Sequence, residues 1–138
     1  MFARLSCRGC GASLSGRIEI PPVANPAEAG ISFEDGQPLT PAGVGFVSPM
    51  LWSVDEGQTT PLQFAPQYWL HPLDVEAAVE AVDDPCRLNG CCGLDGLNGP
   101  NMRCCNCKAE VGTRQNDCWT CDVFIPEPDA TRWLEDTE

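Results

Sequence analysis

Two stretches of the chain, VGFVSPMLWSV (44–54) and PLQFAPQYWL (61–70), concentrate β-branched and aromatic side chains, which suit a pleated and half-buried surface. Pro49 and Pro66 interrupt them and remove ladder donors, so the pattern predicts edge or bulged strands of a small antiparallel sheet. A helical period occurs once: Val75, Ala78, Val79 and Val82 recur at i, i+3, i+4 and i+7, Asp74 is placed to cap them, and Pro85 stops continuation. One short helix is therefore expected over 75–82. Elsewhere the pattern is broken. EIPPVANPAEAG (19–30) is a proline-rich loop, and CRLNGCCGLDGLNGPN (86–101) holds two Asn-Gly pairs and one Asp-Gly, dipeptides that build tight turns. PEPDATRWLEDTE (126–138) is acidic, with Trp133 and Leu134 as its only large apolar pair, and is expected to be a tail.

The 138 residues have the size of one domain, and 13 Gly, 13 Pro and a charged fraction of 20% leave little for regular helix. The fold class expected is small and mixed, mostly β and irregular, and something other than backbone ladders must hold it. Ten cysteines are the evident agent. Their use depends on compartment. MFARLSCRGCG has no apolar h-region or small-residue cleavage site, and no stretch approaches the ~20 apolar residues of a membrane span, so a cytoplasmic protein without membrane attachment is expected. In a reducing cytosol the repeated two-residue gap between cysteines favours zinc over disulfides.

Tetrahedral zinc requires sulfurs about 4 Å apart or less, and Cys-x-x-Cys lets one tight turn deliver two of them. Three such halves are present: Cys7-Arg-Gly-Cys10, Cys104-Cys-Asn-Cys107 and Cys118-Trp-Thr-Cys121, while Cys86, Cys91 and Cys92 offer a looser fourth. Eight ligands would close two sites.

The first two halves continue alike. CRGCGASLS and CCNCKAEVG each pass from the second Cys into a short apolar strand, and here the chain resembles a zinc ribbon over residues 7–14 and 104–111. The resemblance implies two knuckles, each leading into a β-hairpin, that share one zinc through Cys7, Cys10, Cys104 and Cys107. Lys108 stands where ribbons often have Gly, and Cys105 is an alternative ligand to Cys104. The second zinc would take Cys118 and Cys121 with two of Cys86, Cys91 and Cys92, and Cys86 with Cys92 is the favoured pair. Cys91 and Cys105 are then spare thiols, expected as small buried hydrophobes. NGCCGLDGLNGPN, followed by CxC, EVGT and DCW, also resembles small bacterial proteins of uncharacterised role. On this reading a zinc-stabilised domain covers 1–125, its zinc-ribbon-like metal lobe formed by 1–17 and 86–121 around a β-rich insertion at 18–85, and an acidic tail covers 126–138.

Net charge is -12, yet Arg4, Arg8, Arg17, Arg87, Arg103, Lys108 and Arg114 all sit among the cysteine segments, and residues 18–85 contain no Lys or Arg. The acidity belongs to the insertion and tail. That argues for a protein partner, basic or apolar, and against nucleic acid. A nucleic-acid or transcription-machinery accessory using the knuckle arginines is the second reading, and a thiol redox or metal-sensing switch the third.

Catalytic patterns are absent: no Gly-x-Gly-x-x-Gly, Walker loop, His-Glu-x-x-His or Gly-x-Ser-x-Gly occurs. His71 is the only histidine and is expected as a surface or hydrogen-bonded residue ahead of a zinc ligand. Asp95, Asn98 and Asn101 lack EF-hand spacing and are read as turn formers. Trp52, Trp69 and Trp119 are expected in the core, Trp133 exposed as a docking anchor. Binding without catalysis is the expectation, carried by the acidic surface and tail and not by the knuckle arginines.

Overall fold

The computed structural model describes residues 1–22, 25–31, 34, 36–48, 67–88, 90, 93–94, 100–117 and 121–135. Among them, strands carry the architecture: β1 (Phe2–Cys7), β2 (Ile18–Glu19), β3 (Phe46–Ser48), β4 (Gln67–Trp69), β5 (Val79–Ala81), β6 (Met102–Cys104), β7 (Glu110–Gln115), β8 (Val123–Pro126) and β9 (Thr131–Glu135). They form three antiparallel sheets, ordered β2-β1-β9, β3-β4 and β5-β6-β7-β8. Among the described residues, helical backbone is limited to 3-10 turns at Pro26–Ala29, Pro72–Asp74 and Pro85–Arg87. The chain is thus mostly strand and irregular, in keeping with its Gly and Pro content.

Alternation along β8 joins two cores, because successive side chains of a strand point to opposite faces. Phe124 enters a cluster with Leu5, Leu14, Ile18, Leu70, Val79 and Val111, while Val123 and Ile125 face Leu39, Phe46 and Trp69. Trp69 is fully buried, stacked 5.0 Å from Phe46. Gly112 lets β7 approach β8 closely: a Cβ there would lie 2.8 Å from the Ile125 carbonyl oxygen and 2.7 Å from Phe124 Cε1. The two strand-like runs contribute β3 and β4, which pair from Phe46 opposite Trp69 to Ser48 opposite Gln67. Trp52 and Trp119 lie outside the described residues.

The helix expected over 75–82 does not form. A 3-10 turn at Pro72–Asp74 precedes it, turns follow, and Val79–Ala81 becomes β5, paired with β6 from Val79 opposite Cys104 to Ala81 opposite Met102. Eight residues are too few for an isolated helix, and β-branched valines accept a ladder readily, so pairing wins. Asp74 does not cap either. Its carboxylate accepts from the Gly43 N-H at 2.8 Å, and the cap is His71, whose Nδ1 accepts from the Leu73 N-H at 3.1 Å.

The tail expected over 126–138 is corrected for residues 131–135. They form β9 along Ala3–Cys7 of β1, from Cys7 opposite Thr131 to Ala3 opposite Glu135, and the boundary drawn at 125 falls inside β8. Trp133 is half-buried against Tyr68, with ring centroids 5.1 Å apart, because a large aromatic surface finds a partner within the chain.

Candidate metal centre

Two turns at the ends of β1 and β6 repeat one another bond for bond. In the first, the Cys7 N-H donates to the Ala12 carbonyl (2.9 Å) and the Gly11 N-H to the Cys7 carbonyl (2.8 Å). In the second, the Cys104 N-H donates to the Ala109 carbonyl (2.8 Å) and the Lys108 N-H to the Cys104 carbonyl (2.9 Å). Each turn closes through a left-handed residue, Gly11 at φ 79° and Lys108 at φ 68°. Lys108 is the one non-glycine there among the described residues, so the chain accepts backbone strain to complete the second turn. In each, the second cysteine's sulfur also accepts a backbone N-H two residues on, from Ala12 to Cys10 and from Ala109 to Cys107.

These turns face each other. Cys7 Sγ lies 3.5 Å from Cys107 Sγ, Cys10 Sγ lies 3.8 Å from Cys104 Sγ, and all four sulfurs fall within 4.8 Å of one another. Sulfurs at the corners of a zinc tetrahedron, with Zn-S near 2.3 Å, stand ~3.8 Å apart. The four cysteines therefore form a group arranged to hold a metal ion, with Cys7 and Cys104 buried and Cys10 and Cys107 nearer the surface.

Proton affinities within the group diverge. The Asn106 side chain, reaching across from the opposite turn, and the Ala12 N-H bring Cys10 down to about 6. Cys107 accepts from the Ala109 N-H, which favours its thiolate, but the Cys7 sulfur, burial and the Cys10 and Cys104 sulfurs outweigh that and push it up to about 11. Four sulfurs this close cannot all be ionised without a cation among them.

Cys105 is not in the group. Its N-H donates to the Ala78 carbonyl at 3.0 Å on β5's approach, and its side chain is exposed, not a buried hydrophobe, so the open choice between Cys104 and Cys105 falls to Cys104. Partial desolvation and the Glu80 carboxylate raise the Cys105 thiol's proton affinity. Of the expected second set, Cys86 sits exposed in the 3-10 turn at Pro85–Arg87 and Cys121 is buried with Leu39 and Val123. Cys92 and Cys118, with Cys91, lie outside the described residues.

Arg87, Arg103, Lys108 and Arg114, near the cysteines in sequence, are engaged by carboxylates. Glu80 bridges Arg103 Nε (2.7 Å) and Lys108 Nζ (3.0 Å), which hold its carboxyl below the usual range, Lys108 first. Arg114 grips Asp122 through Nε and Nη2 at 3.1 and 3.2 Å, and Arg87 pairs with Glu110 and Asp84. Sequence reasoning missed Asn106 and also Asn101. The latter is fully buried: its Nδ2 donates to the Arg114 carbonyl (2.9 Å) and its Oδ1 accepts from the Arg114 N-H (2.7 Å), clamping the start of β6 to the far end of β7, away from the second turn. Only the unusual density of Asn near the cysteines hinted at either.

Comparison with protein-family models, with curated proteins and with solved structures finds no match to this chain. No described helix is long and apolar enough to cross a membrane.

Proposed function

We propose that the chain is a non-enzymatic, zinc-binding structural or protein-interaction module of the cytoplasm, organised on two zinc ions. The observation that carries the reading is the convergence of Cys7, Cys10, Cys104 and Cys107 from two matching turns. Four sulfurs from the chain would fill a tetrahedron and leave no coordination position for substrate, which favours a structural over a catalytic ion. An all-sulfur tetrahedral set suits zinc or iron, and zinc needs no redox partner. The second ion would take Cys86, Cys92, Cys118 and Cys121, on the spacing argument alone. A basic protein is the expected partner of the acidic surface.

The nucleic-acid alternative draws less support. Arg87, Arg103, Lys108 and Arg114 already neutralise carboxylates of the same chain and are not available as a phosphate track.

Elemental analysis of protein prepared under reducing conditions tests the reading. Close to two zinc ions per chain is expected. One ion, lost on mutating Cys7 or Cys107, would keep the observed group and remove the second site. No bound metal, or tight salt-sensitive binding to random DNA or RNA, would overturn it.

A further inference from the structure

Between the first cysteine turn and the last strand lies a groove of about 340 Å³. Tyr68, Trp133, Pro126 and Pro128 give it an aromatic and prolyl lining, and Arg8 and Arg132 add charge. The fold places them deliberately close. Pro126 ends β8, a turn closed by the Ala130 N-H on the Glu127 carbonyl (3.1 Å) carries Pro128, and β9 supplies Arg132 and Trp133. Arg8 comes from between two metal-site cysteines. Its backbone N-H donates to the Ala130 carbonyl (2.9 Å) and its Nε to the Thr131 carbonyl (2.8 Å), which orients the guanidinium before any ligand arrives.

These two arginines differ from five other cations. Arg87, Arg103, Lys108 and Arg114 each meet a carboxylate, and Arg17 lies 4.0 Å over the Phe2 ring. Arg8 and Arg132 pair with no described carboxylate, although Glu127 and Asp129 occupy the adjoining turn and the chain carries a net charge of -12. Glu127 itself is pushed towards its protonated form, by burial first and then by Asp129 and Glu110. Two guanidiniums without a described carboxylate partner, set in an aromatic groove of an acidic protein, are complementary to carboxylates brought from outside.

We propose that this groove binds an acidic peptide segment of a partner protein, with Arg8 and Arg132 taking its carboxylates and a neighbouring prolyl or aromatic residue lying against Tyr68, Trp133 and Pro126. Arg8, Pro128 and Arg132 are exposed, so the groove opens to solvent and admits a continuous chain. Two cations beside Glu127 and Asp129 make a poor phosphate track, and the Tyr68 and Trp133 rings lie against each other, which disfavours single-stranded nucleic acid. The site goes beyond the proposed acidic surface: it is a second face of opposite preference, and it reverses the expectation that the knuckle arginines are idle. It does not depend on which ion the cysteines hold.

The test uses the full chain with its metal. A peptide array placing Asp or Glu beside Pro, Phe or Trp is compared with a twin array carrying Asn or Gln instead, and the tightest acidic peptide is then measured in solution. The acidic members are expected to bind about tenfold or more tightly than their amide twins. Arg8→Gln and Arg132→Gln should each weaken the chosen peptide about tenfold, the pair should abolish binding, and metal content should stay that of the parent. Arg132→Gln alone, remote from the cysteines in sequence, keeps the test valid if Arg8→Gln disturbs folding. Equal binding of the two arrays, an unchanged affinity in the double variant, or displacement of the peptide by single-stranded oligonucleotide would overturn the proposal.

Discussion

Cys7 Sγ and Cys107 Sγ lie 3.5 Å apart although 100 residues separate them in sequence. A cation between them ties β1 to the turn after β6, and its loss should cost the same from either side. Cys7→Ser and Cys107→Ser are expected to abolish this site's metal and to lower melting by the same amount. Binding free energies of about 10 kcal/mol or more are at stake in zinc sites that couple to folding. Cys105→Ser should retain the metal. Metal content and thermal melting of the three variants check this, and an unaffected Cys7→Ser would show that the amino-terminal turn is no part of the site.

Metal affinity should depend on pH with a sign fixed by the group's proton affinities. A bound cation needs four thiolates, so binding expels whatever protons the metal-free sulfurs carry. Cys107, pushed up to about 11, is protonated throughout the neutral range and releases a proton on binding, whereas Cys10, lowered to about 6, is already ionised above that value. Apparent affinity therefore falls as pH falls, and its logarithm should steepen by about one further unit per pH unit once pH drops below about 6, where Cys10 adds its proton. Competition against a chromophoric chelator across that range measures the slope. A constant slope through about 6 would refute the assignment to Cys10.

Lys108 holds φ 68° in the position that Gly11 fills at φ 79° in the matching turn. Lys108→Gly should stabilise the metal-loaded protein by about 0.5–1 kcal/mol, since only glycine adopts that backbone without steric cost. The exposed contact with Glu80 that is lost is a weak one. Lys108→Val should destabilise by about 1–2 kcal/mol. Melting of the two variants in opposite directions is the expected result.

Asn101→Ala removes both bonds to the Arg114 backbone and leaves a partly buried N-H and carbonyl without that partner. A loss of about 2–3 kcal/mol follows. Urea unfolding should show a lower midpoint with an unchanged slope. Asn101→Asp should also destabilise, because a carboxylate cannot donate to the Arg114 carbonyl.

The turns around Cys7–Cys10 and Cys104–Cys107 were legible in the sequence because their information is local: spacing sets sulfur separation, and the residues that follow set the hairpin. Their mutual approach was implied only by the resemblance to a zinc ribbon. What escaped was decided at long range. Val75, Ala78, Val79 and Val82 carry a helical period, but the ladder with Met102–Cys104 reassigns Val79–Ala81 to a strand. Trp133, flanked by acids, reads as exposed until Tyr68, distant in sequence, covers one face. Asn101 sits in a segment full of turn formers, and nothing beside it announces that it would be fully buried. Cys86 and Cys121 could be counted as ligands but not placed, since no short-range pattern fixes which sulfurs meet.

The pairing of the two cysteine turns also sets a clock. Cys7 and Cys10 leave the ribosome about 100 residues before Cys107 does, which at translation rates of roughly 5–20 residues per second is an interval of roughly 5–20 s. Throughout that time the first turn offers two thiols, half a coordination shell, and β1 lacks β9, the strand that will cover it. A nascent chain in this state is open to oxidation and to capture of soft metal ions at the wrong stoichiometry. The order of synthesis therefore leaves Cys7 and Cys10 unsecured until the second turn and β9 have been made, and a pulse of oxidant during translation should damage Cys7 and Cys10 far more than the same pulse given to the finished protein.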